Sequence, residues 1–333
     1  MIVLNHDGGR FLEPCLKALE AQVLDGGFEV LLVDNASSDG SPDLVRSRFP
    51  SVRVIEAGAN LGFAAGNNLG ISKATAQYIV LLNNDTQVRP GWLTALVEAA
   101  VDEPRVGAVT AKLLFRDQPG TIQNAGCLLL TDGSGADRGS GEPDDGRYDT
   151  REEVFGACGA SVLYRREMLD DVGLLDPTFF MYYEDTDLNW RMRLRGWRVV
   201  YEPGAVVDHV HAGSSGEWSP LFTFHVDRNR LFMILKNAPL GFVVRAFGGF
   251  ARTAVLNAIR TVWGRLRRPP AALARADLGS GRARIHLRVL LSLARYTPEM
   301  LLKRSRIRSR RAVPDSAIEG FLFPRELWDA RFR

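Results

Sequence analysis

The sequence predicts an α/β fold: a Rossmann-like, mostly parallel sheet over residues 1–225, followed by a helical, basic region over 226–333. Three observations carry this. Short apolar runs alternate with amphipathic stretches from the first residues to about 114, at the spacing of strand–helix–strand units. The runs end in short polar side chains, as strands of open α/β sheets do where a ligand lies against their carboxyl ends. The charge is divided: residues 1–227 hold 19 Lys+Arg against 33 Asp+Glu, whereas 228–333 hold 23 against 6.

The elements follow in order. "IVL" (2–4) is a strand, "HDGG" a turn, and "RFLEPCLKALEAQ" an amphipathic helix. "FEVLLVD" (28–34) leads through "NASSDGS" to the helix "PDLVRSRF". "VRVIEA" (52–57) leads through "GANLG" to a small-residue helix across "AAGNNLGISKA". "YIVLLN" (78–83) is a continuous apolar run, as a strand buried on both faces requires. It stops at Asn83-Asn84-Asp85-Thr86, ahead of the helix "GWLTALVEAAVD". "VGAVTAKLL" (106–114) is the next strand. Gly, Ser and Asp dominate 131–152, which reads as a loop or hairpin insertion. "VFGACGASVLYRREML" and "RGWRVVYEPGAVVDHVH" read as further strands around the helix "DTDLNWRMRLRG".

The texture changes near residue 222. "LFMILKNAPLGFVVRAFGGFARTAVLNAIRTVWGRLRR" is apolar but interrupted by Lys236, Arg245, Arg252 and Arg260. No uncharged run reaches the ~18–20 residues of a spanning helix. The three arginines are 7 and 8 apart, near one helical face, which suits a helix lying in a membrane interface. Merely solvated arginines on a helical subdomain are the alternative. A second basic cluster, "LLKRSRIRSRR" (301–311), adjoins another apolar helix. The expected partner is an anionic membrane surface and not nucleic acid: the basic residues are interleaved with Leu, Val and Phe rather than stacking platforms, and the acidic body repels phosphates.

Cys15, Cys127 and Cys158 show no CxxC spacing and no even count, which argues against a disulfide framework or a zinc site and for a reducing, cytoplasmic setting. "MIVLNHDGGRF" has no basic stretch ahead of an apolar one, so no secretory signal is expected. Neither a Walker motif nor a GxGxxG after the first strand occurs.

Several clusters can carry chemistry. Asp85, at a strand end, can hold Mg²⁺ or Mn²⁺, or it can serve as turn and cap before Pro90. Asp34 and Asp39 in "LLVDNASSDGS" can read a nucleobase edge or a ribose hydroxyl, or can close the turn. "NLGFAAGNN" offers Asn60, Gly62, Gly66 and Asn67, with glycines that allow close backbone approach. Glu184, Asp185 and Asp187 open a helix after an aromatic run. Acidic residues suit a helix amino terminus, but burial against rings and like charges would also raise a carboxyl pKa toward a general base's range. His209 and His211, two apart, share a face of a strand and can ligate a metal or touch a diphosphate.

The ordered set Asp34-Asn-Ala-Ser-Ser-Asp39, Asn60-Leu-Gly-Phe, Asn83-Asn-Asp85-Thr, Gly156-Ala-Cys-Gly-Ala, Glu184-Asp-Thr-Asp187 and His209/His211 resembles family 2 glycosyltransferases of the GT-A fold. Among these it looks most like rhamnosyltransferase-type enzymes of cell-wall and surface-polysaccharide assembly. The resemblance covers residues 1 to about 240. It implies an inverting transfer from a dTDP- or UDP-sugar to a glycan or polyprenyl-diphosphate-linked sugar, at the inner face of the cell membrane. Carried over, Asp34 and Asp39 bind the base, and Asn60, Gly62 and Asn67 lie near ribose and phosphates. Asn83 and Asn84 occupy the start of the family's DxD, and Asp85 is its metal-contacting carboxylate, with His209 or His211 beside it. Asp185 is the base and Asp187 the second choice. Glu184, Arg228 and Arg230 lie toward the acceptor or its diphosphate. Asn83 departs from the family by replacing the first Asp of DxD, and "MIVLN" is a shorter first strand. Alternative readings are a sugar-phosphate nucleotidyltransferase, which would want a basic Gly-rich loop after the first strand, and a non-catalytic binder of anionic polymers.

Overall fold

The computed structural model describes residues 1–210, 219–266 and 278–331. They form two compact units, Met1–Ser214 with Ala312–Arg333, and Ser215–Arg311. The compositional boundary at 225 falls inside the first helix of the second unit.

The first unit runs β1 (Ile2–Asn5), α1 (Gly9–Glu20), β2 (Leu31–Asp34), α2 (Ser41–Arg48), β3 (Arg53–Glu56), α3 (Gly62–Lys73), β4 (Tyr78–Asn83), β5 (Thr86–Val88), α4 (Trp92–Val101) and β6 (Val106–Phe115). It continues with β7 (Ile122–Asn124), β8 (Cys127–Leu130), β9 (Gly135–Asp137), β10 (Glu152–Glu153), β11 (Ser161–Arg165), α5 (Arg166–Val172), α6 (Glu184–Leu194) and β12 (Arg198–His209). The second unit contains α7 (Pro220–Asn237), α8 (Leu240–Leu266) and α9 (Leu278–Ser309); α10 (Ser316–Glu319), β13 (Leu322–Phe323) and α11 (Arg325–Ala330) follow in the first.

The main sheet has the order β10-β12-β6-β11-β4-β1-β2-β3, with β5 added to β12 and β7 to β6. Strands β3, β2, β1 and β4 pair in parallel, as do β6 and β12, and β11 runs antiparallel between β4 and β6. The two-residue period of a strand explains the layers. Val3, Leu32, Val80 and Leu82 face a core that includes Leu12, Leu16 and Leu19 of α1 and Trp92 and Leu96 of α4. Their neighbours Ile2, Leu31, Val33, Ile79 and Leu81 face a second core with Ala64 and Ile71 of α3, Met168 of α5, and Leu188 and Met192 of α6. Strands that must be apolar on both faces read as unbroken runs, as "YIVLL" does.

One segment follows expectation as a hairpin but gains a distant strand, and a second departs from it. The 131–152 stretch supplies β9, closing a hairpin on β8, and the distant β13 adds in parallel to make a three-stranded sheet, β13-β8-β9. In "VFGACGASVLYRREML" only Ser161–Arg165 is a strand. Before it, the backbone N–H groups of Ala157, Cys158 and Gly159 donate to Asn189 Oδ1 (3.1 Å), Thr110 Oγ1 (3.2 Å) and Asp185 Oδ2 (3.1 Å). Side chains have taken the donors a ladder would need.

In the second unit, Ser219 Oγ caps α7 by accepting from the Phe222 N–H at 3.1 Å. Arg304 donates to the Leu235 and Ala238 carbonyls at 2.8 and 2.7 Å, meeting the unpaired carbonyls where α7 ends. The sequence pointed to no stretch long enough to span a membrane. Among the described residues, α8 corrects this: Leu240–Trp263 is long and apolar enough by length and composition, because isolated arginines leave windows with few charges. Val244, Val255, Ile259 and Val262 on α8, and Leu287, Leu291 and Leu302 on α9, are all exposed.

Candidate active site

Three strands deliver polar residues to one level of the sheet. Asn5 at the end of β1 is in register with Asp34 at the end of β2, and Leu4 with Asn83 at the end of β4. Asn5 is fully buried and organises the site. Its Nδ2 donates to Ser37 Oγ (3.0 Å) and Ser41 Oγ (2.8 Å), and its Oδ1 accepts from Asn84 Nδ2 at 2.7 Å. Asp34 is buried; Oδ2 accepts from the Ser37 N–H at 3.2 Å, whereas Oδ1 has no protein partner. A buried acceptor left open this way calls for a donor from a ligand.

Asp39 is held by its own neighbours. Its carboxylate accepts from the Gly9 N–H (2.8 Å) at the start of α1 and from the Ser41 N–H (3.0 Å) and hydroxyl (2.5 Å). Burial pushes its carboxyl up, but the hydrogen bonds from Ser41 and Gly9 outweigh this and hold it below the usual range. Asn60 is exposed, and its Oδ1 accepts from Asn35 Nδ2 (3.0 Å) and the Gly62 N–H (2.9 Å). Gly62 has φ 76°, and a Cβ there would meet Phe180 at 2.5 Å, so glycine is required at this close approach. Asn67 is buried in α3 and donates back to the Phe63 carbonyl at 2.9 Å. Asn83 is half-buried; its carbonyl accepts from Thr86 Oγ1 at 2.6 Å.

Asp85 and His209 meet across the pairing of β5 with β12, and both are buried. His209 Nε2 lies 3.1 Å from Asp85 Oδ1, and Nδ1 lies 2.8 Å from Gln123 Oε1. In the neutral tautomer whose Nδ1–H donates to Gln123, Nε2 turns its lone pair toward a carboxylate oxygen. Two electron-pair donors facing each other are what a divalent cation bridges. Ligands about 2.1 Å from one ion and at right angles lie about 3 Å apart, so the donor pair fits Mg²⁺ or Mn²⁺. A histidine oriented through its second nitrogen is the usual arrangement of such ligands. His211 lies outside the described residues.

The acidic triplet separates into three environments. Phe180, Tyr182 and Tyr183 have φ of 66°, 66° and 69°, a strained run leading into α6. Asp187 is fully buried and paired with Arg191 Nε at 2.8 Å, and Arg191 also donates to the Val172, Gly173 and Leu174 carbonyls. Its charge therefore holds α6 in place. Glu184 is buried with Oε2 unpartnered; burial first, then Asp185, pushes its carboxyl well above the usual range. Asp185 is half-exposed in surface terms yet desolvated at its carboxyl, which raises its pKa despite hydrogen bonds from Gly159 and Thr186. Asp185 Oδ2 accepts from the Gly159 N–H, and the next residue's carbonyl, Ala160, accepts from the Asn83 N–H at 2.9 Å. Asp185 and Asp85 thus belong to one end of β4.

Arg228 and Arg230 belong to the second unit. Arg228 is buried over the Phe224 and Phe232 rings, donates to Asn229 Oδ1 at 2.8 Å, and is pulled down to about 10 by burial. Sequence reasoning passed over Asn5, Asn35 and Gln123. Asn5 alone had a local signal, as the polar end of an apolar run.

A mostly parallel sheet thus gathers at its carboxyl edge the open Asp34 acceptor, the Asp85–His209 pair and the desolvated Asp185 carboxyl. The chain belongs to glycosyl transferase family 2, whose model matches residues 1–173. It is 32% identical over 239 residues to the N-acetylglucosaminyl-diphospho-decaprenol L-rhamnosyltransferase of Mycobacterium tuberculosis, covering 65% of this chain and 77% of that one. It is 28% identical over 264 residues to the pre-mycofactocin glycosyltransferase of the same organism, covering 76% and 53%. In fold it is similar to GalNAc-T7, solved with UDP, GalNAc and Mn²⁺, at a TM-score of 0.58 and 15% identity, covering 71% of this chain and 47% of that one. The 1–349 fragment of S. aureus TarS aligns at a TM-score of 0.50 and 16% identity, covering 96% and 90%.

Proposed function

We propose that the chain transfers a sugar, with inversion, from a dTDP- or UDP-sugar to a hydroxyl of a lipid-linked or glycan acceptor in cell-wall or surface-polysaccharide synthesis, with rhamnose the favoured sugar. The observation that carries this is the placement of the Asp85–His209 donor pair and the Asp185 carboxyl at the same end of β4.

The base of the donor lies against β2, where the open Asp34 Oδ1 accepts an imide N–H. Asn60, Asn5 and Asn84 hold the loops that approach the ribose, and Gly62 leaves room beside Phe180. Asp85 and His209 would hold a Mg²⁺ or Mn²⁺ ion, which supplies positive charge to the diphosphate leaving group. Asp185 takes the proton of the acceptor hydroxyl as its oxygen attacks the anomeric carbon from the face opposite the diphosphate. Desolvation makes Asp185 a stronger base, while the Gly159 and Thr186 donors keep its carboxylate oriented. Asp185 is preferred to Asp187, whose charge is consumed by Arg191. Burial, and then the neighbouring Asp185, disfavour a second negative charge on Glu184 beside the base.

The acceptor class rests on the second unit and on the relative that uses a decaprenol-linked sugar. The exposed apolar residues of α8 and α9, with Arg245, Arg252 and Arg260 exposed among them, suit the anionic inner face of a cell membrane. A panel of nucleotide-sugars, assayed for nucleoside diphosphate release with Mg²⁺ or Mn²⁺ and a polyprenyl-diphosphate-sugar acceptor, tests the reading. Acceptor-dependent release from one donor supports it; no release from any donor removes it.

A further inference from the structure

A second cluster of metal-type ligands shares no residue with the Asp85–His209 pair. Cys127 opens β8 and sits directly opposite Asp137 of β9. On its other side Cys127 bridges Gly156, with the Cys127 N–H donating to the Gly156 carbonyl at 2.8 Å. Opposed residues of antiparallel chains project to one face, and two residues further along the chain returns to that face, which brings in Cys158. The Cys127 and Cys158 sulfurs and an Asp137 oxygen all lie within 4.8 Å of one another.

The surroundings hold these atoms in place. Asn124 Oδ1 accepts from the Gly126 N–H at 2.8 Å, fixing the amide so that Nδ2 donates to Asp137 Oδ1 (2.6 Å) and reaches Cys127 Sγ (3.8 Å). The Cys158 N–H is anchored on Thr110 Oγ1. Cys127 is buried, Cys158 half-buried and Asp137 exposed, so an ion has a path in from solvent.

We propose that Cys127, Cys158 and Asp137 form a binding site for a soft divalent cation of the zinc type, with the remaining position open to water. Thiolates at about 2.3 Å and a carboxylate oxygen at about 2.1 Å around a tetrahedral ion stand roughly 3.5–3.8 Å apart, within the observed spread. Two thiolates select a soft ion, whereas the carboxylate and imidazole at Asp85–His209 also accept Mg²⁺ or Mn²⁺. A disulfide fits less well. Diagonal partners across antiparallel chains typically lie about 7–8 Å apart at Cα, wider than the roughly 4.4–6.8 Å a disulfide takes. Scattered in the sequence, these cysteines argued against zinc; the β8–β9 hairpin and the 154–160 loop bring two of them together. The site does not depend on the transfer reaction.

Titration of the reduced chain with Co²⁺ tests this directly: Asp85 and His209 supply no thiolate to a charge-transfer band, and the Cys15→Ala variant controls for the thiol beside Thr86. One equivalent is expected to produce the band and Zn²⁺ to bleach it. Cys158→Ser should weaken binding by more than about 100-fold, since even outer-shell losses cost 10–100-fold; Cys15→Ala should retain the band. In the unaltered protein, Zn²⁺ should also slow alkylation of Cys158, read by peptide mass. Absence of the band, its survival in Cys158→Ser, or alkylation indifferent to Zn²⁺ would overturn the proposal.

Discussion

Replacing Asp185 by Asn removes a proton acceptor and little else. Asp185 Oδ1 accepts from the Thr186 N–H (2.6 Å) and hydroxyl (3.1 Å), and Oδ2 accepts from the Gly159 N–H (3.1 Å). An amide keeps one oxygen, best placed toward Thr186, and turns its –NH₂ against the Gly159 donor. The lost bond costs about 1–3 kcal/mol of stability. An opposite contribution offsets part of it. The folded pKa of Asp185 lies above the free value of 3.8, so its stabilising contribution is complete below that value and lost as pH rises through the folded pKa. At neutral pH the unaltered protein therefore carries a cost of ionisation that Asn does not. The net change in Tm should be a few degrees at most. Turnover should fall 10²–10⁴-fold, about 2.7–5.4 kcal/mol in barrier, because a positioned base contributes that much. Nucleoside diphosphate release gives kcat, and calorimetry gives donor affinity, which should stay within about threefold. Turnover within about threefold of the unaltered enzyme would refute the assignment of the base.

Other outcomes follow from the same geometry. Asp187→Ala should lower stability by about 3–5 kcal/mol in denaturant titration, because it strands the buried Arg191 charge; a normal midpoint would show the pair to be dispensable. The acid limb of kcat/KM should lie above the pH expected for a free aspartate, since the base must be ionised and its pKa is raised; activity holding flat down to pH 4 would contradict this. His209→Ala should weaken Mn²⁺ binding at least about tenfold by titration and leave activity dependent on excess ion; unchanged affinity would exclude His209 as a ligand. Full-length protein should co-sediment with vesicles containing anionic lipid and much less with neutral ones, and Ile259→Glu on the exposed face of α8 should reduce binding. Equal partition to both vesicles would count against the membrane role.

The sheet was legible because its constraint is local. Ile79 to Leu82 must satisfy helices on both faces, and an unbroken apolar run is the only local pattern that does so. The stop at Asn83-Asn84-Asp85 was visible for the same reason. What escaped was long-range. Asn5 takes its place from Asn84, 79 residues away, and Gln123 from His209, 86 away. β13 pairs with β8 from the far end of the chain. The triplet Glu184, Asp185 and Asp187 looks uniform in sequence. Its members separate only when Arg191 comes up one turn later to neutralise Asp187 and burial leaves Glu184 without a partner. Backbone donors in 154–160 were likewise claimed by Asn189, Thr110 and Asp185, so an apolar stretch that read as strand became the loop behind the base.

The most direct measurement is a crystal structure with Mn²⁺ and an intact, non-hydrolysable analogue of the donor, using manganese anomalous scattering. The expected map has one peak within bonding distance of Asp85 and His209 Nε2, the diphosphate against it, and the anomeric carbon facing Asp185. A peak away from Asp85, or a sugar whose anomeric carbon is turned from Asp185, would contradict the division of labour between metal pair and base.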